Sequence, residues 1–219
     1  MPLPKNYAAG GEGAIASYNA TDIAAGTGVI DFYAGKTSGA CILSNIKYYS
    51  DAILTQVTPL QTTWTKSLDL DFDAPINRPL TIKGKSVVNV PFNLSIASTS
   101  GVSGQCIVRV RKWNGTTETE IASGTSRYIE WDGTGTAAYE MFAIDVDIPL
   151  THFKKGETLR LTIEGWGSQE AAVAATLKIG HDPMNRYKSF GHTNITWDAT
   201  NTPPVPSILS FQVPVRIEL

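Results

Sequence analysis

The strictest constraint on this chain is a two-residue hydrophobic alternation between Tyr139 and Trp166. Phe142, Ile144, Val146, Ile148 and Leu150 fall on one side of an extended segment, and Ala143, Asp145 and Asp147 fall on the other. A helical repeat would scatter these residues around its axis, so the segment can bury its apolar side only as a half-buried strand. The pattern breaks over Thr151-His152-Phe153-Lys154-Lys155-Gly156. It resumes with Leu159, Leu161 and Ile163 set against Arg160, Thr162 and Glu164. Two such segments around a short connection predict an antiparallel hairpin with one wet face.

The same period recurs along the chain. Strand character starts at Val29, and further runs cover Cys41 to Ile46 and Ala52 to Val57. Leu68, Leu70 and Phe72 alternate with Asp69, Asp71 and Asp73 up to Pro75. Leu80 to Ile82 reads as a short strand before Gly84. Val88 to Ile96 reads as a separate one, which Pro91 assigns to an edge or a bulge. Asn114-Gly115 between Cys106–Trp113 and Glu118–Ser123 is a strong hairpin signal, with Tyr128 to Trp131 continuing the return strand. Ala172 to Ile179 and Phe211 to Leu219 complete the set. Eight to eleven strands with frequent turn signals predict an all-β protein, and the architecture favoured is a two-sheet antiparallel jelly-roll sandwich over residues 29–219. Residues 1–28, rich in Ala, Gly and Asn, predict an extended N-terminal arm lying on the domain or on a neighbouring subunit; a short helix over Ala14 to Ala25 is the alternative.

Composition narrows the function classes. Only 17% of the 219 residues are charged and the formal net charge is −2, so the chain has no basic footprint for nucleic acid or an anionic membrane. No apolar run is long enough to span a bilayer. Met1-Pro2-Leu3-Pro4-Lys5 leads into no apolar signal core, so Cys41 and Cys106 are expected as free thiols made in a reducing cytoplasm.

The acidic triplet Asp69, Asp71 and Asp73 lacks the EF-hand glycine and glutamate, Ala74 and Leu80 standing at those positions, and is expected to be a solvated stripe. His152, His181 and His192 contain no His-x-His pair for a metal cupin. There is no Gly-x-Ser-x-Gly, His-Glu-x-x-His or P-loop lysine. The pairs Glu130 with Asp132 and Glu164 with Glu170 are too commonplace to indicate a glycosidase. The sequence therefore predicts no cofactor, no metal and no enzymatic activity. Aromatic residues at strand ends and loops are the candidate contacts with a partner or glycan: Tyr18, Trp113, Trp131, Trp166, Tyr187 and Trp197. The competing reading is that they plug the ends of a sandwich or fill subunit contacts.

The Ala/Gly arm, the strand Gly28-Val29-Ile30-Asp31-Phe32-Tyr33-Ala34-Gly35, the turn Phe153-Lys154-Lys155-Gly156-Glu157-Thr158-Leu159-Arg160-Leu161 and the closing strand Phe211 to Leu219 carry a resemblance. In these features the chain resembles the jelly-roll capsid decoration, or cement, proteins and head-fibre proteins of tailed bacteriophages. The resemblance implies a structural virion protein on the outer capsid surface, made in the host cytoplasm. Its implied partners are the major capsid protein and further copies of itself, a trimer being favoured. The alternative is a carbohydrate-binding or host-receptor-binding module of a phage fibre or tail, with a surface polysaccharide as ligand.

Overall fold

The computed structural model describes residues 16–17, 27–96, 101–131, 137–170, 174–186 and 207–216. These residues form thirteen strands, and no helix occurs among them. In chain order they are β1 (Ala16–Ser17), β2 (Thr27–Thr37), β3 (Ala40–Ser44), β4 (Leu54–Val57), β5 (Thr65–Pro75), β6 (Leu80–Ile96) and β7 (Val102–Trp113). Then follow β8 (Glu118–Thr125), β9 (Ile129–Trp131), β10 (Ala137–Phe153), β11 (Thr158–Gln169), β12 (Ala175–Gly180) and β13 (Ser210–Arg216).

Two antiparallel groups carry most of the chain. One runs β2-β13-β6-β10, with β12 and β4 continuing outward from the C-terminal half of β6. The other runs β5-β11-β7-β8, with β9 pairing β7 beyond the end of β8. A single parallel bridge, Ile42 to Asp73, joins β3 to β5 and makes the whole one hydrogen-bonded path.

The groups pack face to face, as three close-approach glycines show. A Cβ on Gly104 of β7 would lie 2.7 Å from Leu94 of β6, and one on Gly165 of β11 would lie 2.8 Å from Leu177 of β12. On Gly124 of β8 it would lie 2.5 Å from the backbone oxygen of Asp145 in β10. Between the layers Val88, Val90, Phe92 and Leu94 meet Val108, Val110, Leu159, Leu161 and Ile163, all fully buried. The alternation seen in the sequence is thus the inward face of each layer.

The turn chemistry matches the sequence at Asn114-Gly115. Asn114 Oδ1 accepts from the backbone N–H groups of Thr116 and Thr117, and Gly115 takes a positive φ of 96°. The expected hairpin between Met141–Leu150 and Leu159–Ile163 does not form. β10 pairs with β6, whereas β11 pairs with β5 and β7, so residues 154–157 cross from one layer to the other. An amphipathic strand records that one face is dry, but both layers offer a dry face to the same core, so the alternation cannot name the neighbour.

Two more expectations change on β6. The short strand before Gly84 and the one after it are a single 17-residue strand. Pro91 is neither at an edge nor in a bulge: it pairs opposite Met141 on one side. On the other side it falls where β13, which reaches Asn89, hands over to β12, which starts at Phe92. A residue without an N–H is tolerated where one ladder stops and the next begins.

Of the N-terminal arm, Ala16 and Ser17 pair with Ile30 and Val29 of β2; the remainder of that arm, the alternative helix and the irregular segment beyond Arg186 lie outside the described residues. Cys41 and Cys106 are both free, in β3 and β7.

Candidate functional site

The outer face of β5-β11-β7-β8 holds a dense set of hydrogen-bonded and ion-paired side chains. Inward packing of Leu159, Leu161 and Ile163 turns Arg160, Thr162 and Glu164 outward, between the aspartates of β5 and the arginines of β7. Arg160 grips Asp73 with two nitrogens, Nε to Oδ1 at 2.7 Å and Nη2 to Oδ2 at 2.8 Å. Thr162 donates to Asp71 Oδ1. Glu164 accepts from Arg109 Nε at 2.9 Å and from the Trp166 indole N–H at 2.9 Å. The acidic stripe expected from the sequence stays partly exposed to solvent and is also engaged within the molecule, Asp71 and Asp73 by β11 and Asp69 by Lys66 of its own strand.

Cross-strand register creates two like-charge pairs, and each has a bridging opposite charge. Glu164 stands opposite Asp69, a destabilising arrangement by itself. Lys66 sits between them, bonded to Asp69 Oδ2 and 3.7 Å from Glu164 Oε1. Arg160 stands opposite Arg111, and Glu118 spans the two, with contacts of 2.9 and 3.0 Å. Burial pushes the Glu164 carboxyl up, but Arg109, Trp166 and Lys66 together outweigh it and hold it below the ordinary carboxylate value. The Asp73 hydrogen bond raises the Arg160 guanidinium against the opposing effect of burial. The result is a cross-linked lattice in which Lys66, Arg109, Arg111 and Arg160 each meet at least one carboxylate.

The predicted aromatic contacts are not brought together. Trp113 lies opposite Thr158, at one end of the face, where the Arg160 guanidinium stacks 5.9 Å from its ring centre. Trp166 lies opposite Gln105, eight residues further along β11 and so about 26 Å away. Trp131 packs half-buried against the core, and its indole nitrogen is buried without a hydrogen-bond partner. Tyr18, Tyr187 and Trp197 lie outside the described residues.

Two residues not singled out in the sequence join Trp166 at its end of the face. Trp64 is 39% exposed and Tyr128 is 51% exposed, with ring centres 5.4 Å apart. Strict alternation from Leu68, Leu70 and Phe72 would turn Trp64 inward. A bulge reverses it: Leu68 pairs Gly165 but Lys66 pairs Trp166, so the extra residue Ser67 flips Lys66 and Trp64 to the outer side.

Elsewhere, an open groove of about 590 Å³ lies between β8 and β10, lined by Ile121, Ser123, Asp145, Asp147 and Pro149 among others. Among the described residues no three His, Cys, Asp or Glu side chains converge as metal ligands. Just after β12, His181 is fully buried, its ring 5.8 Å from that of Phe72. Lys36 Nζ donates to Thr55 Oγ1 at 2.9 Å, and Thr55 Oγ1 lies 2.9 Å from His181 Nε2.

These features define an all-β, sandwich-like protein with a charge-lattice face. No family model matches the sequence, and no curated protein does. Solved structures do match in fold. An α-amino acid ester hydrolase aligns at 10% identity with a TM-score of 0.50, over 85% of this chain and 36% of its own. An aminopeptidase from a Thaumarchaeota archaeon of marine sediment aligns at 10% identity with a TM-score of 0.52, over 88% of this chain and 37% of its own. A chain of infectious bursal disease virus, Gx strain, aligns at 10% identity over 84% of this chain and 40% of its own, with a TM-score of only 0.30. The chain thus spans little more than a third of the hydrolases it matches. This overturns the expectation of a non-enzyme: two structures that share its fold are an ester hydrolase and an aminopeptidase, and missing motifs exclude only the classes that carry those motifs.

Proposed function

We propose that this chain is a jelly-roll interaction module that assembles on the outer surface of a tailed-phage capsid, bound to the major capsid protein as an oligomer, a trimer being favoured. One observation carries the reading. Numbered in chain order, the eight principal strands β2, β5, β6, β7, β8, β10, β11 and β13 pair as 1-8-3-6 in one layer and 2-7-4-5 in the other. That order, with the last strand between the first and third, fits the double Greek key of capsid and lectin jelly rolls. The flat face suits many shallow contacts, with avidity from the oligomer exceeding the affinity of one subunit. The test is the copy number of this chain relative to the major capsid protein in purified virions, with light scattering for its mass in solution. A strict monomer that does not bind expanded capsids refutes the reading.

A second reading rests on the hydrolase likeness. Here the chain is the sandwich part of an assembly that hydrolyses α-amino acid esters or aminoacyl amides. Turnover of aminoacyl p-nitrophenyl esters or p-nitroanilides by the purified chain, alone or with a co-purifying partner, supports it. Absence of turnover together with fixed stoichiometry in virions retires it.

A further inference from the structure

The end of the outer face opposite Trp113 carries two rings that the fold does not require. Trp64 and Tyr128 enter from strands three places apart and lean across the sheet until their rings lie 5.4 Å apart, tilted by 37°. Both keep large exposed areas, although burying them would have stabilised the chain. Trp166 lies half-buried in the adjacent row, its indole fixed by Glu164.

Register supplies the polar surroundings. Outward positions in the same two rows hold Ser168 on β11, Ser103 and Gln105 on β7, and Glu130 on β9. The Gln105 amide is anchored to the Ser126 carbonyl at 2.9 Å. Glu130 is exposed at the rim. The nearby cations are already matched: Lys66 by Asp69 and Glu164, Arg109 by Glu164 and Glu120, and Arg127 by Glu140. An anionic ligand would meet no spare positive charge there among the described residues.

We infer that Trp64 and Tyr128 form a platform for a neutral hexopyranose unit of a polysaccharide. The C–H face of the sugar lies on the rings, and its hydroxyls bond to Ser103, Ser168 and Glu130. A pyranose ring has the required pairing of one apolar face with a rim of neutral hydroxyls. Glycan binding extends the module reading without depending on the capsid: a chain absent from virions can still bind sugar, and the reverse.

Affinity electrophoresis of the full chain through gels containing dextran, galactomannan or mixed-linkage β-glucan tests this, with polygalacturonate as an anionic control. Retardation by at least one neutral polymer, insensitive to salt, is expected. Trp64→Ala and Tyr128→Ala should each weaken it by about tenfold or more, and Trp113→Ala, at the far end, should leave it unchanged. Near-ultraviolet circular dichroism checks folding; if Trp64→Ala misfolds, Tyr128→Ala alone carries the test. The proposal is overturned by no retardation in any neutral polymer, by retardation in polygalacturonate alone, or by variants retained like the unmodified chain. It is equally overturned if the two variants lose only protein association.

Discussion

Acidification should weaken the fold through His181. Burial is the main cause that pushes this imidazole down from 6.5 to about 4; the Lys36 ammonium adds to it, and the Asp182 carboxylate works against it. The hydrogen bonds give the same sign. Lys36 donates to Thr55 Oγ1, which leaves the hydroxyl hydrogen for His181 Nε2; protonating that nitrogen would set two cationic donors on one oxygen. In the unfolded chain the imidazole takes up a proton near 6.5, so the unfolded state binds more protons and is favoured as pH falls. The contribution is complete above 6.5 and lost between 6.5 and about 4. Linkage puts the loss at about 1 kcal/mol at pH 5.5 and about 2–3 kcal/mol at pH 4.5. Glu164, whose carboxyl is held low, loses its contribution only as pH falls below the ordinary carboxylate value of 4.5, so most of the His181 window lies above it. Urea unfolding followed by tryptophan fluorescence at pH 7, 5.5 and 4.5 measures the effect. His181→Gln keeps a partner for Thr55 but cannot titrate, so it should lack this part of the pH slope. Equal slopes in both proteins refute the assignment.

Gly124→Ala should lower stability by about 1–3 kcal/mol, because its Cβ meets the Asp145 carbonyl oxygen, which is backbone and cannot rotate away; a thermal scan against the unmodified protein reads it, and no change would mean that β8 and β10 are not pressed together. Lys66→Met should cost about 0.5–1 kcal/mol by exposing the Glu164–Asp69 opposition, and less in an Asp69→Asn background; equal costs in a double-mutant cycle refute the bridging role. Cys106 is buried and Cys41 is half-buried, and burial raises both thiols. A thiol reagent should therefore find no rapidly reacting cysteine in the native protein and two in guanidinium; none in guanidinium would reveal a disulfide.

Much of the fold was legible because burial leaves a local trace. Leu159, Leu161 and Ile163 announce a dry face wherever their strand ends up, and Asn114-Gly115 announces its turn through the backbone it needs. What the chain conceals is relational. Nothing within Met141–Leu150 distinguishes a hairpin with β11 from membership of the opposite layer. The partners of Asp71 and Asp73 are hidden because Arg160 and Thr162 reach them only after β11 is laid alongside. Trp64 is hidden by one inserted residue: a bulge at Ser67 is invisible to a two-residue count, yet it decides which side the indole occupies.

The position of β13 has a consequence for how the protein is made. It lies between β2 and β6, so the interior of one layer waits for residues 210–216, which are synthesised after both of the strands they join. Until then, β2 and β6 hold unpaired backbone edges toward each other, a state that invites pairing between nascent chains. A chain cut short before Ser210 should therefore aggregate rather than yield a smaller soluble domain.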